Sequence, residues 1–130
     1  MNREIKFRVW DKEQKEMYSH EKVDSSDKDG IMLWGDIFSG KDTTVEIMQF
    51  TGIKDKNGKE IYEGDIVRYT TPHLDHPRDF KIVFDNGMFC QIELSPRGYV
   101  DEGEEAGMWI DWEDITIIGN IYENPELLKI

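Results

Sequence analysis

His73, Asp75, His76 and Asp79 fall close together in a segment that also carries Pro72 and Pro77. Imidazole and carboxylate are metal-ligand chemistry, and zinc sites want four such donors. The remaining candidates, His20 and Cys90, are far away in sequence. A polar, exposed loop is therefore the preferred reading, and no metal or other cofactor is expected. Ser25, Asp27, Asp29, Gly30 and Asp36 keep part of a calcium-loop spacing, with Gly30 at the bend. Calcium needs several oxygens and a bidentate acid closing the loop, between two helices. Here Ser stands first and Asp last, and the flanks read as strands and loops. A solvated turn is expected.

Asp111, Glu113 and Asp114 lie beside Trp109 and Trp112. Paired carboxylates next to aromatic rings are the chemistry of glycoside hydrolysis. Simple alternation explains them as well: Met108, Ile110 and Trp112 point inward and the acids end a short strand. The chain has no Gly-x-Ser-x-Gly nucleophile motif and no glycine-rich phosphate loop ending in Lys-Ser/Thr. Catalysis is not expected.

The positions of these residues depend on a chain of 130 residues, long enough for one core without disulfides. Only 38% of it is hydrophobic, yet four Trp, five Tyr and six Phe supply large surfaces for burial. Cys90 is the single cysteine. That suits a reducing cytoplasm. No apolar run approaches the ~20 residues of a membrane-spanning helix, and no signal-peptide core follows Met1, so a soluble cytoplasmic protein is expected.

The formal net charge is -12. Residues 1–49 carry -3 of it and residues 50–130 carry -9. Between residues 97 and 129 there are acids but neither Lys nor Arg: Asp101, Glu102, Glu104, Glu105, Asp111, Glu113, Asp114, Glu123 and Glu126. Such a surface repels nucleic-acid phosphates, so no direct nucleic-acid binding is expected.

Period-two alternation dominates the chain. Ile5, Phe7 and Val9 alternate with Lys6 and Arg8, and a polar turn before Met17-Tyr18 makes residues 4–19 a hairpin. Residues 24–30 read as a loop, 31–34 as a short strand and 35–43 as another loop. Residues 45–50 read as a strand leading into Asn57-Gly58, a signature of a two-residue type I′ turn. Gly64-Asp65 turns again, and residues 66–69 start a strand. Phe80, Ile82 and Phe84 alternate with Lys81, Val83 and Asp85 in another, which Asn86-Gly87 reverses into residues 88–94. Residues 95–107 read as a long loop, 108–112 as a short strand and 115–122 as a strand. Asn124 caps a helical turn with Pro125 at its first position. An echo is visible too: residues 11–18 and 55–62 share the pattern Asp-Lys-x-x-Lys-Glu-apolar-Tyr. Two like-shaped hairpins explain it without a duplication.

Many short strands and almost no helix predict an all-β protein. The expected architecture is an SH3-like small β-barrel over residues 50–130, with five strands between about Glu60 and Tyr122. An N-terminal β-hairpin extension over residues 1–49 packs on it.

Four blocks carry a resemblance: residues 3–11 (REIKFRVWD), 48–52 (MQFTG), 54–67 (KDKNGKEIYEGDIV) and 118–127 (IGNIYENPEL). Their order and content resemble the YopX family of phage and prophage proteins, nearly end to end. Residues 23–44 and 72–109 match less well. The resemblance implies a phage or prophage origin and a largely β fold. It implies no enzymatic activity and carries over no catalytic or ligand-binding residue. The expected function is a non-catalytic interaction or assembly module with a protein partner, including a second copy of itself. The hairpin of residues 4–19 is the candidate edge for a homo-oligomer, since Ile5, Phe7, Val9 and Trp10 exceed what one small hairpin buries alone. The alternative is an acidic DNA mimic that occupies a host DNA-binding protein. Its surface would be Asp101, Glu102, Glu104, Glu105, Asp111, Glu113 and Asp114.

Overall fold

The computed structural model describes residues 4–28, 34–72, 76–94 and 114–128. The chain divides into two units, residues 1–50 and 51–130. Strands predominate, in two antiparallel four-stranded sheets, and helix is scarce.

In the first unit, β1 (Phe7–Asp11) and β2 (Glu16–Tyr18) form the expected N-terminal hairpin, with Trp10 opposite Met17. β1 also pairs with the first part of β3 (Val45–Lys54), Val9 lying opposite Ile47. Two helices were not expected. α1 (His20–Lys28) replaces the predicted loop, and α2 (Trp34–Phe38) replaces the predicted strand end and the start of the loop after it. Asp24, Ser25 and Asp27 favour turns because their side chains compete for backbone hydrogen bonds. Two features override that preference. Ser19 caps α1, its Oγ accepting the Lys22 amide at 3.2 Å. Val23 is completely buried, in a core with Val9, Ile37 and Val45. α2 ends at Gly40, whose φ of 78° is a left-handed stop. Tyr18, Trp34 and Ile47 pack around this core. The N-terminal unit is therefore mixed, not a β extension alone.

In the second unit, β4 (Glu60–Tyr62) lies beside the last part of β3. The other sheet has the order β7-β6-β5-β8, from β5 (Asp65–Tyr69), β6 (Arg78–Asp85), β7 (Met88–Leu94) and β8 (Ile115–Asn120). Its core is Ile61, Val67, Phe80, Ile82 and Ile115, with Ile53, Tyr69 and Ile117 packed against it. Each such side chain contributes about 1.5–3 kcal/mol on burial. Pro125–Leu128 forms the expected helical turn, in 3-10 form. The expected strand of residues 108–112 lies outside the described residues.

The two Asn-Gly turns differ. Asn86 and Gly87 have φ of 51° and 79°, and Asp85 pairs with Met88, as a two-residue type I′ turn requires. At Asn57-Gly58 only Gly58 is left-handed, at 80°. The Gly58 amide donates to the Asp55 carbonyl at 2.9 Å, and the Asp55 amide to the Lys59 carbonyl at 2.8 Å. That is a longer loop in which glycine follows an ordinary turn, and it corrects the type I′ expectation. The physical cause is the Asp55 side chain, which collects the loop's amides.

Candidate functional site

The acidic surface expected from the sequence falls mostly outside the described residues: Asp101, Glu102, Glu104, Glu105, Asp111 and Glu113 are all there, as are Trp109 and Trp112. Asp114 is described and half-buried. Its carbonyl accepts the Thr70 amide at 3.2 Å, which places it at the entry to β8. Of the His-rich segment, His73 and Asp75 also lie outside, and His76 is exposed. Asp79 holds Arg68 through two bonds of 2.9 and 3.1 Å, and this raises the Arg68 pKa. Among the calcium-like residues, Ser25 and Asp27 lie in α1 and Asp36 in α2, while Asp29 and Gly30 are not described. The solvated turn expected there gives way to helix.

Each unit instead has an exposed apolar place of its own. In the second unit, the β6–β7 ribbon ends in Phe84 and Met88, 49% and 48% exposed. Phe84 sits opposite Phe89, their rings edge-on at 5.0 Å, and Asp85 sits opposite Met88. Directly opposed residues share a face. The tip thus exposes an apolar side chain on each face, phenylalanine on one and methionine, beside Asp85, on the other. Behind it the ribbon is braced. Arg78 grips Glu93 through bonds of 2.8 and 2.7 Å, with its guanidinium 5.3 Å from the Phe80 ring. Phe84 alternates in step with the buried Phe80 and Ile82, but the core ends at Ile82 and the strand runs past it.

In the first unit, Ile5 and Phe38 are exposed. Phe38 stacks on Trp34 at 5.6 Å and meets the edge of Phe7 at 5.1 Å. The His20 ring lies 4.9 Å from Trp34. Asp24 accepts the Trp34 indole N–H at 2.6 Å, and His20 Nδ1 accepts the Phe7 amide at 3.1 Å. These contacts tie α1, α2 and β1 together. Sequence reasoning missed Phe38, because nothing local marked residues 35–43 as helical.

The motif residues have structural work. Asp55 Oδ1 accepts the amides of Asn57 and Lys59, both at 2.9 Å, and Oδ2 accepts the amide of Ile117 at 3.0 Å. Burial alone would push the Asp55 pKa up, but the N–H donors of Ile117, Lys59 and Asn57 outweigh it and hold it below the ordinary value. Asp65, 1% exposed, accepts the Tyr62 amide through Oδ2 at 2.8 Å. Between them Gly64, at φ 88°, donates to the Ile82 carbonyl and accepts from Ile121. In the last block the buried Asn120 accepts the amides of Tyr122 and Glu123 and donates to Glu123. Asn124 Oδ1 takes the Asn120 amide, crossing so close to Gly119 that a Cβ there would meet it at 2.5 Å.

The blocks that hold these bonds are those that carry the family pattern. The YopX protein family model matches residues 6–129. The chain belongs to the YopX family. A curated relative, the SPbeta prophage-derived uncharacterized protein YopX of Bacillus subtilis (strain 168), is 27% identical over 107 residues. That match covers 82% of this chain and 65% of the relative's own length, just under two thirds. Two crystal structures are similar. Protein EF1440 from Enterococcus faecalis superposes with a TM-score of 0.61 at 25% identity, covering 98% of this chain and 100% of that one. Protein yopX from Bacillus subtilis gives 0.54 at 23% identity, covering 95% and 98%, and supports the fold alone. This YopX-family chain is thus mostly β, and its Asp55, Asp65, Asn120 and Asn124 side chains accept backbone amides.

Proposed function

We propose that this YopX-family chain is a phage- or prophage-derived interaction or assembly module, without catalysis, acting on a protein partner or a second copy of itself in the host cytoplasm. The observation that supports it is the β6–β7 tip, where Phe84 and Met88 present apolar surface on both faces of a braced ribbon. Exposed apolar surface on a rigid element is the usual anchor of a protein interface. The resembling blocks fit the same reading, since Asp55, Asp65, Asn120 and Asn124 each hold a backbone amide through a side-chain oxygen.

The second unit reads as an SH3-like small barrel. Among the described residues five strands fall between Glu60 and Asn120, and β8 returns to pair with β5. On the far side of β8, the Lys56 amide donates to the Ile115 carbonyl at 3.1 Å while Asp55 takes the Ile117 amide. Those two bonds join the end of β3 to β8, the kind of link that closes a barrel. The acidic DNA-mimic reading rests on the charge of -12. Its residue set reaches the described chain only at Asp114.

Light scattering over a range of salt concentrations tests the module. Screening weakens repulsion between like-charged copies, so the mass should exceed that of a monomer and grow with ionic strength. Phe84→Ser with Met88→Ser should return it to a monomer. A constant monomer mass at every salt and protein concentration removes self-association. Salt-sensitive capture of basic DNA-binding proteins from a host lysate would favour the mimic.

A further inference from the structure

Asn-Gly occurs twice in this chain, at Asn57-Gly58 and Asn86-Gly87. Glycine after asparagine leaves the following amide unhindered, so both dipeptides carry the same intrinsic risk of deamidation. The fold treats them unequally. We propose that Asn86 is a site of spontaneous deamidation and that the Asp55 carboxylate protects Asn57 from the same reaction.

In the reaction the Gly87 nitrogen attacks the side-chain carbonyl carbon, Cγ, of Asn86. A new C–N bond closes a five-membered succinimide. The side-chain nitrogen leaves as ammonia, taking up the proton lost from the Gly87 amide. Water then opens the ring at either carbonyl. One opening leaves an aspartyl residue at position 86; the other leaves an isoaspartyl linkage, with the main chain running through the side-chain carbon. No oxidant or reductant is consumed, and water is the only co-reactant.

Ring closure needs a backbone free to rotate and an amide free to attack. Asn86 and Gly87 are exposed, at φ 51° and 79°. The Gly87 amide donates to no group among the described residues. Opening this turn disturbs only the end of a ribbon, the kind of local fraying that costs least. The other loop is tied at each amide. Asn57 and Lys59 donate to Asp55 Oδ1, and Gly58 donates to the Asp55 carbonyl at 2.9 Å. The Gly58 nitrogen, which must attack, is therefore engaged. The carboxylate that holds the loop also takes the Ile117 amide, 62 residues away, so freeing the loop strains the bond to β8.

The product alters the tip. A second carboxylate appears next to Asp85, between the exposed Phe84 and Met88. The isoaspartyl form adds a main-chain atom to a turn whose two-residue length matches the strand register of Asp85 with Met88. Deamidation would thus both charge the tip and loosen it.

The intact chain, kept folded at mildly alkaline pH, tests this by peptide mapping with mass spectrometry over time. Asn86 should convert about tenfold faster than Asn57, the effect of one or two extra hydrogen bonds on the opening equilibrium. In concentrated urea the two rates should converge, because only the fold separates them. Gly87→Ala should slow the reaction at Asn86 and leave Asn57 unchanged. Equal rates in the folded chain, faster loss of Asn57, or a gap that persists in urea would overturn the proposal.

Discussion

The turn after Asp11 and the turn after Asp55 begin from nearly the same eight residues. In the first, Asp11 Oδ1 accepts the amides of Glu13 and Gln14, at 2.9 and 3.0 Å, and among the described residues no more distant group. Asp11 pairs with Glu16, so four residues form the loop and the left-handed position falls on Lys15, at φ 55°. In the second, Gly58 takes the left-handed position one residue earlier in the pattern. Asp55 is buried and uses its second oxygen on Ile117. The shared pattern therefore dictates that an aspartate collects the turn's amides. It does not dictate where the chain turns left-handed, nor whether the aspartate has a partner beyond the turn. Glycine settles the first point, and tertiary packing the second.

Removing the two carboxylates should separate the turns most strongly. Asp55→Ala strips acceptors from three amides, one of them in β8, and should cost about 3 kcal/mol. Asp11→Ala loses two local bonds at a more exposed site and should cost about 0.5–1 kcal/mol. Urea denaturation of both variants measures this, and equal losses would erase the distinction. Acid should act along the same line. The folded pKa of Asp55 lies below its unfolded value, so its contribution is complete above the unfolded value and fades as pH falls through the folded one. Asp55→Asn should flatten that acid-side loss of stability.

Glycine comes next. Gly58 and Gly87 both have open space where a Cβ would go. Any cost of substitution is therefore backbone strain, not a clash. Gly58→Val and Gly87→Val should each lose about 1 kcal/mol or more, since a β-branched residue at positive φ is strained. Unchanged thermal melting in both would refute the turn geometry.

Much of this was legible in the sequence, and the gaps have causes. Alternation located β1, β3 and β6, the turn at Asn86-Gly87 located β7, and a β-branched apolar run located β8. Asn86-Gly87 announced its turn type, because no nearby side chain competes for its amides. Asn57-Gly58 misled, because the neighbouring Asp55 does. α1 stayed hidden because Asp24, Ser25 and Asp27 favour turns locally, and only the burial of Val23 reveals the helix. Alternation put Phe84 in step with Phe80 and Ile82 without showing that it lies beyond the core. Period two tells which way a side chain points, not where the core ends. The bond from Asp55 to Ile117 had no local signal at all.

Lys15 offers the finest test of the two turns. It holds a left-handed conformation without being glycine, for which an L-residue gives up about 1 kcal/mol or more. Lys15→Gly removes that penalty but adds freedom to the unfolded chain, which opposes it by about 0.5–1 kcal/mol. The net change should be a gain of a few tenths of a kcal/mol at most. Lys15→Asn should do better, because asparagine tolerates the left-handed region and has less unfolded freedom than glycine. Lys15 is exposed, so losing its side chain disturbs no packing. The expected order of thermal stability is Asn above Gly above Lys at this position. If both substitutions destabilise, the charge or stem of Lys15 matters more than its backbone, and the two turns differ by more than the location of one left-handed residue.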